Sequence, residues 1–468
     1  MTSTEPQFSS LPLAPALLSA VNELGFERLT PIQAQSLPLL LAGKDVIGQS
    51  VTGSGKTAAF ALALLQRVSL DERELGAVVV CPTRELSAQV AREFRKLGKH
   101  LPGLSVLVLA GGQPLRPQAD ALERGVHVVV GTPGRIVDLL ERRSMRVHRV
   151  SAVVLDEADR MLEMGFLDDV ARILNALPKQ RQTVLFSATF PDTIEALARK
   201  YQRDAVRVNA EHAEKARLPI EEQVLHVGER EENKLEALAR TVDHYAPDSA
   251  LVFANRKVTV AEVEQALAAQ GWSVASLHGD LEQYERDRVM AKFRNGSTRV
   301  LVATDVAARG IDLDSLDLVV NFDLPNQPEI YLHRIGRTGR AGRAGLAVSL
   351  CTAGERHVLA AIENDRGHAL LVSELAAMPR ADRRVAVSDA KMQTLRVFGG
   401  RKEKLRPGDI LGALTGEAGG LRGADVGKIE IHDRFAYVAV SKAVSERALA
   451  SLRAGQIKGR RFRVELVE

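Results

Sequence analysis

The sequence Ser50-Val51-Thr52-Gly53-Ser54-Gly55-Lys56-Thr57 decides the fold of the first part of the chain. It follows a short apolar segment, residues 45–48, and precedes a helical pattern at residues 58–66. A strand, a glycine-rich turn and a helix N-terminus together form a cradle whose backbone N–H groups face an anion. Lys56 is placed to reach the β- and γ-phosphates of a nucleotide, and the Thr57 hydroxyl to hold Mg²⁺. Ser50 replaces the usual first glycine, and a small side chain is sufficient there. The stretch predicts a nucleoside triphosphate site.

Composition limits the class of protein. The 468 residues correspond to roughly three domains of about 150 residues, and 45% of them are hydrophobic, enough for full cores. No apolar run approaches the ~20 residues of a membrane span, and no basic segment followed by an apolar run indicates a signal peptide. Cys81 and Cys351 each lie in an apolar, strand-like run, so we expect them to pack in cores rather than form a disulfide or a metal site. We expect a cytoplasmic protein.

Charge is distributed unevenly along the chain. The net charge is +4, but residues 391–468 contain 16 lysines and arginines against nine acids, a net charge of +7, so the rest carries −3. A basic tail on a nearly neutral body favours a polyanion as the partner of the tail. The alternative is a solvated basic surface.

Apolar runs recur after the phosphate loop, and each one ends in a polar motif. The runs are continuous rather than alternating, which is typical of strands buried on both faces of a parallel sheet. Ligands bind beyond the carboxyl ends of such strands. The motifs at these ends are Pro82-Thr83-Arg84-Glu85-Leu86, Gly111-Gly112, Thr132-Pro133-Gly134-Arg135, Asp156-Glu157-Ala158-Asp159 and Ser187-Ala188-Thr189. About 100 residues after a phosphate loop, Asp156 is expected to hold Mg²⁺ and Glu157 to polarise the attacking water.

A second α/β unit of the same type follows, without a phosphate loop. Periodicity weakens at residues 210–222, which we interpret as a linker, and the strand pattern restarts over residues 223–370. Arg337 and Arg340 lie three residues apart and can point the same way, as groups that stabilise charge on the γ-phosphate should. On spacing alone, a solvated arginine-rich loop is the alternative.

The tail has the pattern of a third domain. After a second linker at residues 371–390, residues 391–468 read strand, helix, strand, strand, helix, strand, the βαββαβ order of RNA-recognition modules. Phe435 and Tyr437 share one face and match two aromatic positions of the RNA-recognition signature, whereas Arg396 replaces a third. Packing of both rings against the rest of the protein is the alternative to base stacking. The basic residues that would carry binding are Arg401, Lys402, Lys404, Arg406, Lys458, Arg460, Arg461 and Arg463.

The order of these motifs resembles that of the DEAD-box RNA helicases. Besides the motifs above, Gln33 follows Gly25-Phe26, and the second half holds Ala308-Arg309-Gly310-Ile311-Asp312 and His333-Arg334-Ile335-Gly336-Arg337-Thr338-Gly339-Arg340 in family order. The resemblance implies two tandem RecA-like parallel-sheet domains, residues 1–209 and 223–370, in an α/β fold, plus the RNA-recognition-like domain. It implies an RNA-stimulated ATPase that binds ATP and Mg²⁺ and separates short RNA duplexes without translocation.

The resemblance also assigns roles residue by residue. The ATP-binding residues would be Phe8, Gln33, Ser50, Val51, Thr52, Gly53, Ser54, Gly55, Lys56, Thr57, Gly310 and Asp312, with Phe8 stacking on the adenine and Gln33 reading it. Catalysis would rest on Lys56, Asp156, Glu157, Arg337 and Arg340. Core contacts to RNA would come from Pro82, Thr83, Arg84, Gly112, Thr132, Pro133, Gly134, Arg135, Asn255, Arg256, His278, Gly279, Gln283, Arg286, Thr304 and Asp305. Coupling between the two activities would involve Asp159, Ser187, Thr189 and His333.

The tail narrows the resemblance to one family. Residues 404–416 together with Lys428-Ile429-Glu430-Ile431 resemble the RNA-binding domain of the bacterial DbpA (DEAD-box protein A) family. That resemblance implies targeting to large-subunit (23S) ribosomal RNA and to pre-ribosomal particles by a monomer. A general RNA chaperone with no preference for ribosomal RNA is the alternative. A metabolic P-loop kinase would leave the second sheet and the tail unexplained, an RNA-binding protein with a dead ATPase conflicts with the intact Lys56 and Glu157, and a DNA helicase would respond to DNA alone.

Overall fold

A computed structural model describes residues 6–50, 54–210, 220–229, 232–308, 316–339, 344–378, 390–416 and 419–467. The described residues fall into two units, one ending at Ala210 and one beginning at Ile220, and the second also contains the tail. Six of the predicted site residues, Val51, Thr52, Gly53, Gly310, Asp312 and Arg340, lie outside the described residues.

The first unit is built on a seven-stranded parallel sheet. Its strands are β1 (Val46–Gln49), β2 (Ala77–Val80), β3 (Val106–Leu109), β4 (Val128–Gly131), β5 (Ala152–Asp156), β6 (Gln182–Ser187) and β7 (Val206–Asn209). Its helices are α1 (Pro15–Glu23), α2 (Pro31–Leu41), α3 (Lys56–Arg67), α4 (Arg84–Leu97), α5 (Leu115–Glu123), α6 (Pro133–Glu141), α7 (Ala158–Glu163), α8 (Leu167–Ala176) and α9 (Asp192–Tyr201). The strand order is β3-β4-β2-β5-β6-β1-β7.

The composition of these strands explains the layered architecture. The central strands β2, β4, β5 and β6 are buried along their whole length. Separate clusters of buried residues cover the two faces of the sheet, with Val79 and Val154 in one cluster and Val78 and Val153 in the other. Because every pairing is parallel, the loops that follow the strands meet at one edge. All the polar motifs predicted for this domain lie along that edge.

The second unit repeats this topology. Its strands are β8 (Ile220–His226), β9 (Ala250–Phe253), β10 (Val274–Leu277), β11 (Val300–Ala303), β12 (Leu318–Asn321), β13 (Gly345–Cys351) and β14 (Leu371–Glu374). Its helices are α10 (Glu232–Tyr245), α11 (Lys257–Ala269), α12 (Gln283–Arg294), α13 (Asp305–Ala308), α14 (Pro328–Ile335) and α15 (Arg356–Arg366). The order β10-β11-β9-β12-β13-β8-β14 is that of the first sheet, with each strand number raised by seven. The prediction of two parallel-sheet domains is confirmed.

The tail forms a four-stranded antiparallel sheet with two helices. It consists of β15 (Met392–Val397), α16 (Pro407–Thr415), β16 (Val426–Ile431), β17 (Ala436–Ser441), α17 (Ser445–Ala454) and β18 (Val464–Leu466), and the strand order is β16-β17-β15-β18. The βαββαβ prediction is confirmed. One face of the sheet packs on the helices, since Leu395 and Val438 share a core cluster with Ile410 and Leu452.

The opposite face of the tail sheet packs against α12 of the second domain. Tyr437, only 1% exposed, clusters with Ala291 of α12 and with Val467. The Arg294 guanidinium donates from Nε and Nη2 to the two carboxylate oxygens of Glu430 at 3.0 and 2.8 Å. This bidentate, charge-assisted pair is a strong and directional contact, and it holds the pKa of Glu430 below its usual range although burial opposes the shift.

Two strands extend the second domain beyond the boundaries predicted from sequence. Residues 220–222 belong to β8, and residues 371–374 form the edge strand β14, whereas the sequence placed both segments in linkers. The reason for the second difference is that all four residues of β14 are exposed, so the hydrophobic signal of a buried strand is missing. Cys81 and Cys351 are buried free thiols, as expected. Among the described residues, no helix has both the length and the apolar character of a membrane span.

Candidate functional site

The described part of the phosphate loop joins β1 to α3. Ser50 is buried, its N–H donates to the carbonyl of Ser187, and its Oγ lies 2.8 Å from Ser54 Oγ. Gly55 precedes α3 in the left-handed region, with φ 91°, which glycine adopts without strain. A Cβ there would lie 2.5 Å from Gln33 Nε2. The small side chain at position 50 therefore fits its buried place, where its hydroxyl contacts that of Ser54.

Gln33 ties the start of α2 to this loop. Its Oε1 accepts a hydrogen bond from the Thr30 N–H at 2.9 Å, and its Nε2 donates to the Gly55 carbonyl at 3.0 Å. The amide is 4% exposed. Phe8 is 2% exposed and stacks on Phe26 with ring centroids 6.2 Å apart, inside the core of the first domain. Adenine stacking by Phe8 and adenine reading by Gln33 stay predictions.

Gln33→Ala is expected to weaken ATP binding and to reduce discrimination between ATP and GTP, by about thirtyfold if two hydrogen bonds are lost at about 1 kcal/mol each. The physical reason is that the loop loses its bond to Gly55 and the nucleotide loses an amide that both donates and accepts. Competition of GTP against labelled ATP measures the effect. Gln35→Ala, an exposed glutamine on the same helix, is the control. An unchanged ATP-over-GTP preference would contradict the prediction.

Lys56 and Asp156 form a buried ion pair at the centre of the site. Lys56 Nζ lies 3.0 Å from Asp156 Oδ1, and both side chains are less than 10% exposed. Burial alone would lower the pKa of Lys56, but Asp156 and Glu157 more than offset it and raise that pKa. Besides this lysine, the Glu157 N–H donates to the Asp156 carboxylate, and no donor from another described residue meets either oxygen. A buried carboxylate with free lone pairs suits a divalent cation, so the residues fit Mg²⁺ at Asp156.

Glu157 is held in an unusual conformation. Its φ and ψ are both 56°, the left-handed region that non-glycine residues seldom adopt, and its side chain is 5% exposed. Arg160 Nη1 donates to Glu157 Oε2 at 2.9 Å, and Arg160 is equally buried. Non-glycine residues with such strain concentrate at functional sites. The ion pair fixes the direction of the carboxylate that is expected to polarise water.

Arg160 was not among the residues selected from the sequence, and we expect it to position Glu157. Arg160→Gln should lower the rate of hydrolysis about tenfold and leave the KM for ATP unchanged. Without the cation, the buried carboxyl takes up a proton more easily, so the acid limb of the pH–rate profile should move to higher pH. The pH dependence of kcat checks this, with Arg172→Gln as an exposed control on α8. A uniform drop at every pH would indicate loss of structure instead.

Asp159 joins the start of α7 to the motif at the end of β6. Its Oδ2 accepts hydrogen bonds from the Ala188 N–H, the Thr189 N–H and the Thr189 hydroxyl at 3.0–3.2 Å. In return, the Asp159 N–H donates to Ser187 Oγ at 3.1 Å. A displacement of one motif must therefore displace the other, as the predicted coupling role requires. The fourth predicted coupling residue, His333, lies on α14 in the second unit.

The predicted RNA residues of the first domain come together from three loops. Thr83 caps α4 by accepting a hydrogen bond from the Leu86 N–H. Gly112, at φ 71°, lies against the Arg84 guanidinium so closely that any side chain there would collide with it. Both terminal nitrogens of Arg135 donate to the Gln113 carbonyl at 3.2 Å. Thr132 and Pro133 begin α6, followed by Gly134, and Pro82 follows β2. In protein–nucleic acid complexes, guanidinium, hydroxyl and N–H groups donate hydrogen bonds to phosphates and sugars.

Arg334, to which the sequence motifs assigned no separate role, organises the equivalent edge of the second sheet. Its guanidinium is 1% exposed and makes a bidentate pair with Asp305, both distances being 2.7 Å. It also donates to the Asn255 side chain at 2.7 Å, and to the Asp323 carbonyl and the Asn321 side chain. All five donors are thereby used. Arg334 therefore fixes Asn255 and Asp305, two predicted RNA contacts, to each other.

The other predicted RNA-binding residues of the second domain lie along the same edge, whereas Arg337 lies near the start of β12. Arg256 occupies the N-cap position of α11 without a side-chain capping bond, and His278 and Gly279 follow β10. Gln283 Nε2 donates to Asp287 at 2.9 Å, and Arg286 donates to the carbonyl of Ala307, three residues beyond Thr304. Arg337 is 4% exposed, and its carbonyl accepts from the Leu316 N–H. Lys234 on α10 forms ion pairs near the end of β12: its Nζ lies 3.3 Å from Asp323 Oδ1 and 2.7 Å from Glu355 Oε1.

The predicted tail residues divide into two groups. The segment with Arg401, Lys402, Lys404 and Arg406 lies beside the turn with Lys458, Arg460 and Arg461, because Lys458 Nζ donates to the Lys404 carbonyl at 3.0 Å. All seven are exposed. The aromatic pair is not exposed in the same way. Tyr437 packs against α12, and Phe435 is stacked on His432 with centroids 4.6 Å apart. The packing alternative therefore describes Tyr437.

Known proteins share this arrangement. Residues 30–197 match the DEAD/DEAH box helicase family, residues 233–342 the helicase conserved C-terminal domain, and residues 394–466 the DbpA RNA binding domain. The ATP-dependent RNA helicase DbpA of Escherichia coli is 47% identical over 97% of this chain and 98% of its own length. The DEAD-box ATP-dependent RNA helicase CshA of Bacillus subtilis is 44% identical over 76% of this chain and 72% of its own.

Among solved structures, S. cerevisiae Dbp5 bound to RNA and ADP BeF3 aligns with a TM-score of 0.71 and 35% identity, covering 79% of this chain and 96% of that one. The chain therefore belongs to the DEAD-box ATP-dependent RNA helicases, and within them to the family of DbpA, whose RNA-binding domain forms its tail. It is an enzyme that couples ATP hydrolysis to work on RNA, as the sequence predicted.

Proposed function

We propose that this helicase separates short duplexes in large-subunit (23S) ribosomal RNA while the large ribosomal subunit is assembled, and that its tail selects this RNA. The observation that carries the proposal is the match of residues 394–466 to the DbpA RNA binding domain, combined with the two basic segments of the tail lying side by side. The core hydrolyses ATP and separates the strands. The tail selects the RNA on which the core acts.

The nucleotide chemistry follows from the first domain. Mg²⁺ would be held by Asp156 and Thr57 and would neutralise phosphate charge when bound. Lys56 binds the β- and γ-phosphates, and Glu157, directed by Arg160, orients the attacking water. Arg337 and Arg340 would stabilise the charge that develops on the γ-phosphate. Val51, Thr52, Gly53, Gly310 and Asp312 complete the proposed ATP contacts.

RNA binding by the core is independent of base sequence. Its proposed contacts are hydroxyl, guanidinium and N–H groups that reach phosphates and sugars. Contacts to the 2′-OH would favour RNA over DNA. ATP and RNA together would stabilise a closed state in which one strand is bent, and a short duplex then dissociates.

The tail adds the preference. A net charge of +7 on residues 391–468 raises affinity for any polyanion, because each neutralised phosphate releases counterions. The seven exposed basic residues lie side by side, so the attraction for RNA is strongest at this surface of the tail. We propose that this surface binds the ribosomal RNA element, and that the enzyme acts as a monomer in the cytoplasm.

The test compares RNA-stimulated ATPase with 23S ribosomal RNA and with unrelated RNA of equal length. Lys402→Glu with Arg461→Glu should remove most of the preference, about tenfold or more in the RNA concentration needed, because two phosphate contacts become repulsive. The ATPase at saturating RNA should not change. Substitution is preferable to deletion of the tail, since deletion would leave Arg294 without Glu430 and uncover Ala291.

A matched double reversal of charge, Lys442→Glu with Arg447→Glu, controls for net charge, because both residues lie outside the two basic segments. If both double variants lose the same preference, charge alone and not the defined surface is responsible. If the parent responds alike to both RNAs, the enzyme is a general RNA helicase or chaperone, the alternative to ribosomal targeting.

A further inference from the structure

The boundary between α12 and the tail contains a stack of aromatic rings and arginines. We name it the junction stack and define it by Tyr284, Arg396, Phe398, Phe435 and Arg463. The Arg396 guanidinium lies 5.2 Å from the ring centroid of Tyr284, 4.5 Å from that of Phe398 and 4.8 Å from that of Phe435. Arg463 lies 4.8 Å from the centroid of Phe398. All four distances are in the range of cation–π attraction.

Only part of this stack is available to a ligand. Phe435 is occupied by His432 and Arg396, and Tyr437 beside it is closed by α12. Tyr284 is 49% exposed, and the Arg463 side chain 75%. Arg396 Nη1 donates to the Tyr284 hydroxyl at 3.0 Å, so the exposed ring is held in place from its polar end. Tyr284 is thus a half-exposed ring held by one guanidinium. The same stack contains the exposed Arg463, which lies over Phe398 and donates to Glu465 at 3.2 Å. An exposed aromatic ring in an arginine-rich surface is a combination that binds single-stranded nucleic acid.

The position of Tyr284 links two surfaces already assigned to RNA. It lies between Gln283 and Arg286 in the first turn of α12, and Arg286 bonds to the carbonyl of Ala307 in the short helix that begins at Asp305. On the other side, Phe398 leads directly into the basic segment 401–406. Tyr284 therefore neighbours predicted core contacts on α12 and is connected through Arg396 and Phe398 to the start of the basic segment.

We propose that the junction stack is a stacking site for an unpaired RNA base, with Tyr284 as the platform and Arg463 facing the adjacent phosphate. This inference rests on the proposed function, and it locates base stacking on the helicase domain rather than at the aromatic pair of the tail. Arg396 is a positioning residue in this site, since it orients Tyr284 through a hydrogen bond and a ring contact. The site takes single-stranded RNA without a preference for sequence, because every base has a stacking face.

The experiment uses the full chain, a non-hydrolysable ATP analogue, and one short RNA duplex with and without a single-stranded extension of uridines. Tyr284→Ala is expected to bind the extended RNA about tenfold more weakly, because stacking on one aromatic ring contributes a factor of about 5 to 150. Binding of the blunt duplex should change by less than about twofold. Tyr284→Phe keeps the ring and should bind like the parent. Leu411→Ala, which removes a 38% exposed apolar side chain from the helix on the other face of the tail sheet, is the matched control.

Photocross-linking from thiouridine in the extension gives a readout that a purely structural role would not change. The parent and Tyr284→Phe should cross-link within α12, and Tyr284→Ala should not. Equal loss in the Phe and Ala variants would overturn the proposal, since the hydroxyl bond to Arg396 would then be responsible. Binding of the extended RNA by Tyr284→Ala at parental affinity would also overturn it, and would leave this exposed surface to a protein partner.

The outcome is separable from that of ribosomal targeting. A parent enzyme that cross-links through α12 but does not prefer 23S ribosomal RNA supports the junction stack and contradicts the targeting. If the parent prefers 23S ribosomal RNA and Tyr284→Ala binds extended RNA as the parent does, the targeting is supported and the junction stack is contradicted.

Discussion

Lys56→Ala is expected to reduce RNA-stimulated ATP turnover by about a hundredfold or more, because the cation that meets the β- and γ-phosphates is lost. The structure adds a second consequence. Asp156 would remain buried with no cation beside it, and an uncompensated buried charge of this kind costs about 3–5 kcal/mol. We therefore expect a lower melting temperature together with the loss of turnover.

Phosphate release and thermal melting should be measured on the same preparation of Lys56→Ala. Lys44→Ala, an exposed lysine in the turn before β1, controls for the change of residue type. Asp156→Asn in the Lys56→Ala background should recover melting temperature but not turnover, which separates the structural effect from the chemical one. Retention of more than a small fraction of the parental rate by a folded Lys56→Ala enzyme would contradict the assignment of this lysine.

Glu157→Gln should stop hydrolysis and preserve ATP binding. The amide keeps the size of the carboxylate, but it carries no charge to polarise water, and loss of a general base lowers rates by about 10²–10⁴-fold. Since ATP stays bound, the variant should accumulate on RNA. The prediction is a large increase in RNA residence time with ATP, measured by dissociation of labelled RNA after a chase.

Glu163→Gln on the same helix α7 controls for the loss of one acid, because Glu163 is exposed. If Glu157→Gln releases RNA with ATP as fast as the parent, Glu157 does not have the catalytic role. Arg160 also loses its ionic partner in this variant, so a modest fall in melting temperature is expected and does not affect the interpretation.

The sequence predicted the sheets well because burial dominates their composition. Continuous runs such as Val128–Gly131 and Val300–Ala303 allow few alternatives to buried parallel strands, and motifs placed at strand ends are brought together by the topology itself. The strand β14 was not predicted because none of its residues is buried. A buried strand is recognised in a sequence by its continuous hydrophobic signal. An edge strand that is exposed along its whole length lacks that signal.

Contacts made by long side chains could not be predicted in the same way. Arg160 directly follows one recognised motif and Arg334 lies inside another. Nothing in the spacing shows that the first guanidinium bonds Glu157, or that the second uses all five donors at three strand ends. The burial of Tyr437 depends on the packing of the tail against α12, which no local sequence pattern encodes. The signal that could have identified Arg334 was its place in the string that also holds His333 and Arg337.

The contact between Lys234 and Asp323 distinguishes the second sheet from the first at the position of the phosphate-loop lysine. Lys234 lies near the start of the helix after β8, and Asp323 follows β12, so the two correspond in topology to Lys56 and Asp156. Both halves thus place a lysine–aspartate pair at the same point of the topology. In the second sheet, Glu355 adds a further carboxylate 2.7 Å from Lys234. With two carboxylates on its ammonium group, Lys234 is neutralised within its own domain, so it is not placed to take the phosphate-binding role predicted for Lys56.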